Sequence, residues 1–310
     1  MSLSSIKRTI KNRLGLTGLH ERLIDIQQAI GRIETSQMIN SSNSINDAEF
    51  KVFSQRGQDG IIQFIINRID ITKSKFIEFG VESYIEANTR FLLTNNSWDG
   101  LVIDGSIKNI EYIQNDLRIY WGNQLTAVQS FITKENINDL IISKGFQGEI
   151  GLLSIDIDGN DYWVWESIHC VNPCIVICEY NAIFGYKKEV VVPYDQNFQR
   201  KEAHYSQIYY GASLAALNVL GAKKGYSLVG TDSSGNDAFF VRNDLIRNLT
   251  VLSTEQAYHN PQIRESLDQS GKLNFLNQEQ CLRSIQDLAL VDIQTNKLIK
   301  VKELIIKKGN

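Results

Sequence analysis

The stretch KFIEFGVESYIEANTRFLLTNNSWDGLVID, residues 75–104, has the pattern of a strand, a glycine turn, a helix and a second strand. Apolar residues predict strands that close on Glu78 and on Asp104, and a helical pattern covers 86–93 between them. In an open α/β sheet, ligands lie outside the carboxyl ends of the strands. We therefore expect Glu78, Gly80 and Asp104 at a binding edge, with Gly80 keeping the turn free of a side chain.

The turn after this first strand lacks the glycines of a dinucleotide-binding loop. The motif G-x-G-x-x-G needs two more glycines, and the chain has Val81, Glu82 and Ser83 after Gly80. A pyrophosphate is therefore not expected here. An acid at a strand end followed by one glycine resembles the first motif of S-adenosylmethionine-dependent methyltransferases, whose cofactor contains an adenosine and an amino-acid tail. Asp104 then stands where an acid accepts hydrogen bonds from ribose hydroxyls.

Composition restricts the class of protein. With 310 residues, 43% of them hydrophobic, and three prolines, the chain can bury one large core plus an appendage. A net charge of −3 argues against a nucleic-acid-binding surface that covers the whole protein. No apolar run approaches the ~20 residues of a membrane span, and the start lacks a secretory signal, so we expect a cytoplasmic location. The four cysteines are expected to be buried, reduced thiols.

The first 35 residues predict a separate amphipathic helix. Its apolar residues follow a 3-4-3-4-3 rhythm that places them on one stripe. The stripe consists of Leu16, Leu19, Leu23, Ile26, Ile30 and Ile33. Such a helix favours homo-oligomerisation or packing on its own domain, and its basic residues offer peripheral contact with the anionic inner membrane surface as an alternative. Residues 36–48, rich in Ser and Asn, indicate a linker.

Strands and helices alternate through the following 200 residues. Strands are expected at 76–79, 101–104, 117–120, 150–157 and 174–178, and the turn at 232–235 predicts a closing antiparallel hairpin. Alternation of this kind predicts an α/β fold with a mostly parallel, doubly wound sheet. With its terminal antiparallel hairpin, the arrangement is that of class I, Rossmann-like methyltransferases. We assign 49–250 to this domain and 251–310 to a C-terminal extension.

Four polar groups crowd the end of the fourth strand, in LLSIDIDGNDYWVWES. On a strand that continues to residue 157, Asp156 and Asp158 share one face and lean toward one pocket. Their repulsion requires a proton, a cation or hydrogen-bond donors, which marks a site. Capping of the next helix accounts for one of these residues but not for both acids.

Several motifs together are similar to the FkbM-type methyltransferases and their relatives in surface-glycan gene clusters. In chain order these are F-S-Q-R-G-Q-D-G (53–60), F-I-E-F-G, L-V-I-D-G, S-I-D-I-D-G-N-D-Y-W, I-C-E-Y-N, Y-G-A-S-L-A-A-L and G-N-D-A-F-F-V-R. The resemblance covers residues 53–243. The family more often has Glu where this chain has Asp158. Asp158 therefore departs from the pattern, and the resemblance alone does not assign it a role.

The resemblance implies S-adenosylmethionine as the cofactor and names its contacts. Glu78 and Gly80 would lie near the methionine part, with Asn88 as a further contact. Asp104 would bind the ribose, and Asp156 would close the pocket. After the third strand, Asn123, Gln124 and Ser130 are available for the adenine, although no motif selects among them.

Methyl transfer to an alcohol also needs a group that removes the proton. A sugar hydroxyl is nearly as weak an acid as water, so a general base or a metal ion is expected. Candidate bases are Asp158, Glu179 and His204. Hard oxygen ligands from two neighbouring strand ends would suit Mg²⁺. These ligands are Asp158, Asp161, Glu179 and Asn181.

The sequence thus predicts an O-methyltransferase acting on a sugar hydroxyl, with a sugar or nucleotide-sugar acceptor from bacterial surface polysaccharide synthesis. The substrate follows from the resemblance alone. A nicotinamide-dependent sugar oxidoreductase is one alternative, and binding of NAD(H) would favour it. A non-catalytic glycan-binding or scaffold protein is the other, favoured by sugar binding without cofactor binding.

Overall fold

The computed structural model describes residues 18–116, 119, 124–262 and 264–305. The strands of the described residues are β1 (Lys75–Phe79), β2 (Asp99–Asp104), β3 (Leu125–Gln129), β4 (Gly148–Ile155), β5 (Val171–Glu179), β6 (Val190–Val191), β7 (Tyr226–Thr231), β8 (Asp237–Arg242), β9 (Ala289–Asp292) and β10 (Lys297–Lys300). Seven of them form a central sheet with the order β3-β2-β1-β4-β5-β8-β7.

Helices flank this sheet and connect its strands. They are α1 (Leu19–Ser41), α2 (Gln58–Ile66), α3 (Arg90–Asn96), α4 (Ile107–Asn115), α5 (Ile137–Ser143), α6 (Asp161–Ser167), α7 (Arg200–Ala203), α8 (Leu214–Lys223), α9 (Thr254–Ala257) and α10 (Gln278–Ser284). Apolar side chains on the two faces of the sheet form two separate clusters, around Ile103 and Trp165 on one face and around Val102 and Ile175 on the other. Covered on both faces, the strands are continuous apolar runs, as expected for parallel strands.

The predicted fold class is confirmed. Strands β1 to β5 run parallel to one another, and β8 is antiparallel to both β5 and β7. The chain enters the sheet at β1, moves outward to β3 and then crosses to β4 on the other side of β1. This reversal leaves a crevice between the carboxyl ends of β1 and β4, where open α/β sheets bind their ligands.

Three boundaries differ from the sequence-based expectations. The helix after β1 begins at Arg90 rather than at residue 86, because the preceding segment is held in turns with positive φ at Glu82 and Tyr84. Strand β4 ends at Ile155, before Asp156, so the expected alternation of two acids along one strand is wrong. The strand expected at 117–120 falls almost entirely outside the described residues, and the third strand of the sheet is Leu125–Gln129.

A second, three-stranded sheet joins two segments that are distant in sequence. Strand β6, from the excursion after β5, pairs antiparallel with β9 of the C-terminal segment, and β9 pairs with β10. Val190, Ile208, Leu290 and Val301 share one apolar cluster across these segments. We call residues 182–213 and 258–305 together the cap.

Helix α1 packs along the central domain and continues to Ser41, into the segment expected as a linker. Gly31 makes the close approach possible, since a Cβ there would lie 2.4 Å from Val52 Cγ2 and 3.0 Å from the Phe91 ring. Met38 is also buried in the domain core. Leu16 lies outside the described residues, and the other members of the predicted stripe face solvent, with exposed fractions from 45% at Leu19 to 57% at Ile33.

Among the described helices, none has both the length and the apolar character required to cross a membrane.

Candidate functional site

A cavity of about 450 Å³ opens at the crevice between β1 and β4. This volume is typical of small-molecule sites. Gly80 forms its floor with a φ of +68°, and a Cβ at this position would lie 1.8 Å from the carbonyl oxygen of Asp156. Only glycine allows the ends of β1 and β4 to approach so closely.

Glu78 lines this cavity, but its carboxylate mainly holds the loop that follows. It accepts hydrogen bonds from the backbone N–H of Asn88 (2.8 Å), from that of Thr89 (3.0 Å) and from the Thr89 hydroxyl. The Asn88 amide in turn donates to Ser154 Oγ at 3.2 Å. Burial raises the pKa of Glu78 to about 7 despite these donors. Glu78 therefore orders the segment that leads into α3.

Asp104 ends β2 and lines the same cavity. Its carboxylate accepts from the backbone N–H groups of Glu82 (2.8 Å) and Ser106 (2.8 Å) and from the Asn109 side-chain amide (3.0 Å). A carboxylate has about four acceptor positions, so about one remains for a ligand hydroxyl. Asp104 thus holds the loops after β1 and β2 in place and keeps one acceptor position for a ligand.

The acids at the ends of β4 and β5 have fewer partners. Carboxylate oxygens of Asp156, Asp161 and Glu179 all lie within 4.8 Å of one another. Glu179 is 5% exposed, and within the described part of the chain its Oε2 has no hydrogen-bond partner. Nor does any described residue form a hydrogen bond with the Asp156 carboxylate. Burial and then the neighbouring carboxylates raise the pKa values of Asp156 and Glu179 well above the usual range.

Asp161 shapes the loop between β4 and α6. Its two oxygens accept from the backbone N–H groups of Ile157 (2.8 Å) and Gly159 (2.9 Å). Burial raises its pKa to about 6, although these donors oppose the shift. Its loop role leaves lone pairs facing Asp156 and Glu179.

Asp158 has a left-handed conformation (φ +59°) and pairs with Arg200 at 2.8 Å. Arg200 also pairs with Glu265 of the cap, and its guanidinium lies 3.8 Å from the centre of the Tyr210 ring. Arg200 therefore ties the β4 loop, the excursion and the C-terminal segment together at the cavity. Nothing in the local sequence around Arg200 indicates these partners.

Two predicted site residues lie elsewhere. His204 does not line the cavity, and its Nδ1 shares a 2.6 Å hydrogen bond with the Ser206 hydroxyl. The Asn181 amide donates to the carbonyls of Ile208 and Tyr210, so it holds the excursion against β5. Neither side chain joins the Asp156–Asp161–Glu179 group, because a local turn uses the His204 ring nitrogen and distant carbonyls use the Asn181 amide.

The motif at 53–60 has a structural role. Asp59 Oδ2 accepts from the backbone N–H groups of Val52, Phe53 and Ser54, each at 2.7 Å. Gln58 donates to Asp237 at 2.8 Å, and burial raises the pKa of Asp237 to about 7. Asp237 lines the cavity and was not recognised from sequence, although it begins the hairpin strand that pairs with the end of β5.

Acidic side chains outnumber basic ones in the cavity lining. Among the described residues that line it, Arg200 is the single cation. The carboxylates are Glu78, Glu82, Glu86, Asp104, Asp156, Asp158, Glu179, Asp237 and Glu265. This lining opposes a pyrophosphate and favours a ligand with positive charge.

No protein-family model matches the chain, and no curated protein sequence matches it. Several solved structures are similar to part of the chain. One is the N-terminal domain of EvdMO1 with SAH bound (11% identity, 69% of this chain and 94% of that chain, TM-score 0.40). Another is the O-methyltransferase from Bacillus cereus in complex with SAH (12% identity, 70% of this chain and 97% of that chain, TM-score 0.39). A third is an S-adenosylmethionine-dependent methyltransferase from Clostridium acetobutylicum (9% identity, 60% of this chain and 90% of that chain, TM-score 0.38). At these identities and TM-scores the similarity assigns neither fold nor chemistry, so the chemistry is inferred from the residues of this chain.

Proposed function

We propose that this chain is an S-adenosylmethionine-dependent O-methyltransferase that acts on a sugar hydroxyl. The observation that carries the proposal is the acid-lined cavity at the β1–β4 crevice, where Asp104 keeps an acceptor position for a ribose hydroxyl. A sulfonium cofactor is cationic at the reacting atom and has no phosphate, so it fits this lining. A nicotinamide dinucleotide would bring its pyrophosphate against Glu82 and Asp104.

An apolar wall is available for the adenine ring. Phe131 and Ile132 follow β3 and line the cavity, and the Phe131 ring is 49% exposed although it is a large apolar side chain. Gln124 lies at the opposite end of β3, before the strand, whereas Ser130 lines the cavity. We therefore assign the adenine to Phe131, Ile132 and Ser130, and the ribose to Asp104.

Asp156 and Glu179 are the best candidates to accept the proton of the acceptor hydroxyl. Both line the cavity, both have raised pKa values, and a raised pKa makes a carboxylate a stronger base. Bound S-adenosylmethionine would supply the methyl group, and the thioether product would leave with the electron pair of the broken S–C bond. The chain itself would orient the hydroxyl and hold its proton on Glu179 or Asp156.

The same acids fit a divalent cation. Asp156, Asp161 and Glu179 approach one another closely and offer a set of hard oxygen ligands, and the buried Oε2 of Glu179 has no partner among the described residues. This set replaces the sequence-based one, because Asp158 and Asn181 are committed to other partners. A Mg²⁺ ion held there would lower the pKa of a bound hydroxyl, which is a second mode of activation.

The acceptor and the cellular setting extend the proposal. We infer a sugar or nucleotide-sugar of bacterial surface polysaccharide synthesis from the sequence resemblance, and a cytoplasmic location. The exposed stripe on α1 is narrow and spaced 4-3-4-3, as in helix pairs, so we assign it to a second copy of this chain rather than to a membrane surface. We retain 49–250 as the methyltransferase domain.

Calorimetric titration with S-adenosylhomocysteine, with and without Mg²⁺, tests the proposal, with NAD⁺ as the parallel control. We expect micromolar binding of S-adenosylhomocysteine and no binding of NAD⁺. Stronger binding or turnover in the presence of Mg²⁺ would select the metal mode. Preference for NAD⁺ would establish the oxidoreductase alternative, and sugar binding without either cofactor would establish the binding-protein alternative.

A further inference from the structure

A second cavity, of about 220 Å³, lies beside the first between the central domain and the cap. The two cavities share Asn236 and Glu265 as lining residues, so they adjoin at that point. Tyr210 and Arg264 also line the second cavity. Its volume is below the usual range for a whole small-molecule site, so it suits one part of a larger ligand.

The polar side chains of this second cavity differ in how they are used. Gln278 donates to the carbonyls of Ala182 and Ile183, and therefore holds the wall. Glu265 is paired with Arg200. By contrast, no described residue forms an ion pair or side-chain hydrogen bond with Arg264, or a hydrogen bond with the side-chain amide of Asn236.

The two cavities differ in the balance of acidic and basic groups. Nine carboxylates and one guanidinium line the first. Arg264 and Glu265 are the charged residues among the described lining of the second, and Glu265 shares Arg200 with Asp158. Arg264 is therefore the charged group of the second cavity that has no ion-pair partner among the described residues.

We propose that the second cavity binds an anionic group of the acceptor sugar, with Arg264 on the carboxylate or phosphate and Asn236 on a hydroxyl. A guanidinium suits either anion because its paired N–H groups match two anion oxygens. The acceptor would thus extend from a neutral hydroxyl end beside Asp156 and Glu179 to a negatively charged end under the cap. This inference rests on the proposed function, because it adds the acceptor subsite to the same active site.

The test is a titration of the protein, saturated with S-adenosylhomocysteine, with D-glucuronate, D-glucose 1-phosphate and D-glucose, followed by ligand-observed NMR. We expect both anionic sugars to bind more tightly than glucose, by roughly threefold or more, as suits one solvent-accessible ion pair. Arg264→Gln should abolish this preference and Arg264→Lys should keep part of it. Arg283→Gln is the matched control, since Arg283 is an exposed arginine of the cap that pairs with Glu279.

The two anionic sugars distinguish a carboxylate from a phosphate as the preferred group. Equal affinity for all three sugars, no sugar binding in the millimolar range, or an unchanged preference in Arg264→Gln would each overturn the subsite. Failure of S-adenosylhomocysteine to bind would instead overturn the proposed function, so the two failures are distinguishable. Thermal unfolding of each variant checks that the exposed substitutions leave the fold intact.

Discussion

Two groups of acids line the cavity and differ in the hydrogen bonds that they accept. One group lies at the ends of β1 and β2, and the other at the ends of β4 and β5. Glu78 and Asp104 receive three hydrogen bonds each, mostly from backbone N–H groups of the following loops. Asp156 and Glu179 receive far fewer, and one Glu179 oxygen is buried without a described partner. The carboxylates of the β1–β2 half, which we call the braced half, therefore hold loops in place. Those of the β4–β5 half keep lone pairs available for a ligand or a proton.

The difference separates positioning from chemistry. A carboxylate with its lone pairs occupied by N–H groups fixes a loop and has few acceptor positions left for a substrate hydroxyl. A buried carboxylate without donors costs free energy in its charged form and is therefore a strong base, a shared proton site or a cation ligand. We infer that the β1–β2 half holds the cofactor and the β4–β5 half activates the acceptor.

The largest expected effect is the loss of methyl transfer activity on substitution of Glu179. Glu179→Gln should lower the methyl transfer rate by roughly 10²–10⁴, the usual contribution of a general base, without lowering the unfolding temperature at pH 8. The substitution removes a buried charge, so stability should hold or rise. Initial rates and thermal unfolding measure the two effects. Glu202→Gln on α7 is the matched control, and a Glu179→Gln variant with full activity would assign the chemistry to Asp156 alone.

The next effect concerns Glu78 and pH. Burial raises its pKa from 4.5 to about 7, so the folded state holds this proton more tightly and loses stability as pH rises between these values. Glu78→Gln cannot ionise at this position. Between pH 4.5 and 7 its free energy of unfolding should therefore rise relative to that of the wild type by about 3 kcal/mol, at about 1.4 kcal/mol per pKa unit. Urea unfolding at several pH values measures the difference. Glu86→Gln, an exposed acid of the same cavity, should show no such gain, and parallel pH curves for Glu78→Gln and wild type would contradict the assignment.

A smaller effect is expected at Asp104. Asp104→Ala should weaken S-adenosylhomocysteine binding by about 1.5–3 kcal/mol, because charge-assisted hydrogen bonds to the ribose are lost. Asp104→Asn separates this loss from loosening of the loop, since the amide oxygen still accepts from Glu82 N–H. Asp99→Asn, at the other end of β2, is the control. Unchanged affinity in both Asp104 variants would remove this residue from the ribose site.

The smallest effect on the cavity is expected from the exposed stripe of α1. Replacing Leu23, Ile26 and Ile30 together by Gln should abolish self-association in sedimentation velocity while leaving S-adenosylhomocysteine affinity unchanged. Ile39→Gln, an exposed residue of α1 outside the stripe, should leave self-association intact. A wild type that sediments as a monomer would contradict the role of the stripe, and a loss of cofactor affinity would mean that α1 supports the braced half of the cavity.

Most strands of the central sheet, and the hairpin at its end, could be predicted because they are buried on both faces and therefore read as uninterrupted apolar runs. The helix after β1 could not be placed, since Glu78 takes the N–H groups of Asn88 and Thr89 and delays the helix to Arg90. His204 and Asp158 were reasonable bases by residue type. Their partners could not be predicted, because Ser206 meets His204 in an irregular turn and Arg200 reaches Asp158 from 42 residues away.

The sequence by itself determined the parallel sheet, its antiparallel end and the row of acids at its carboxyl edge, because apolar periodicity and turn residues act locally along the chain. Only the tertiary structure decided which acids keep free oxygens, since that depends on donors contributed from elsewhere in the fold. The same holds for the cap, where β6 pairs with β9 and Arg200 reaches Glu265 across 65 residues. Such contacts come from long-range packing, and this packing separates the braced acids from the reactive ones.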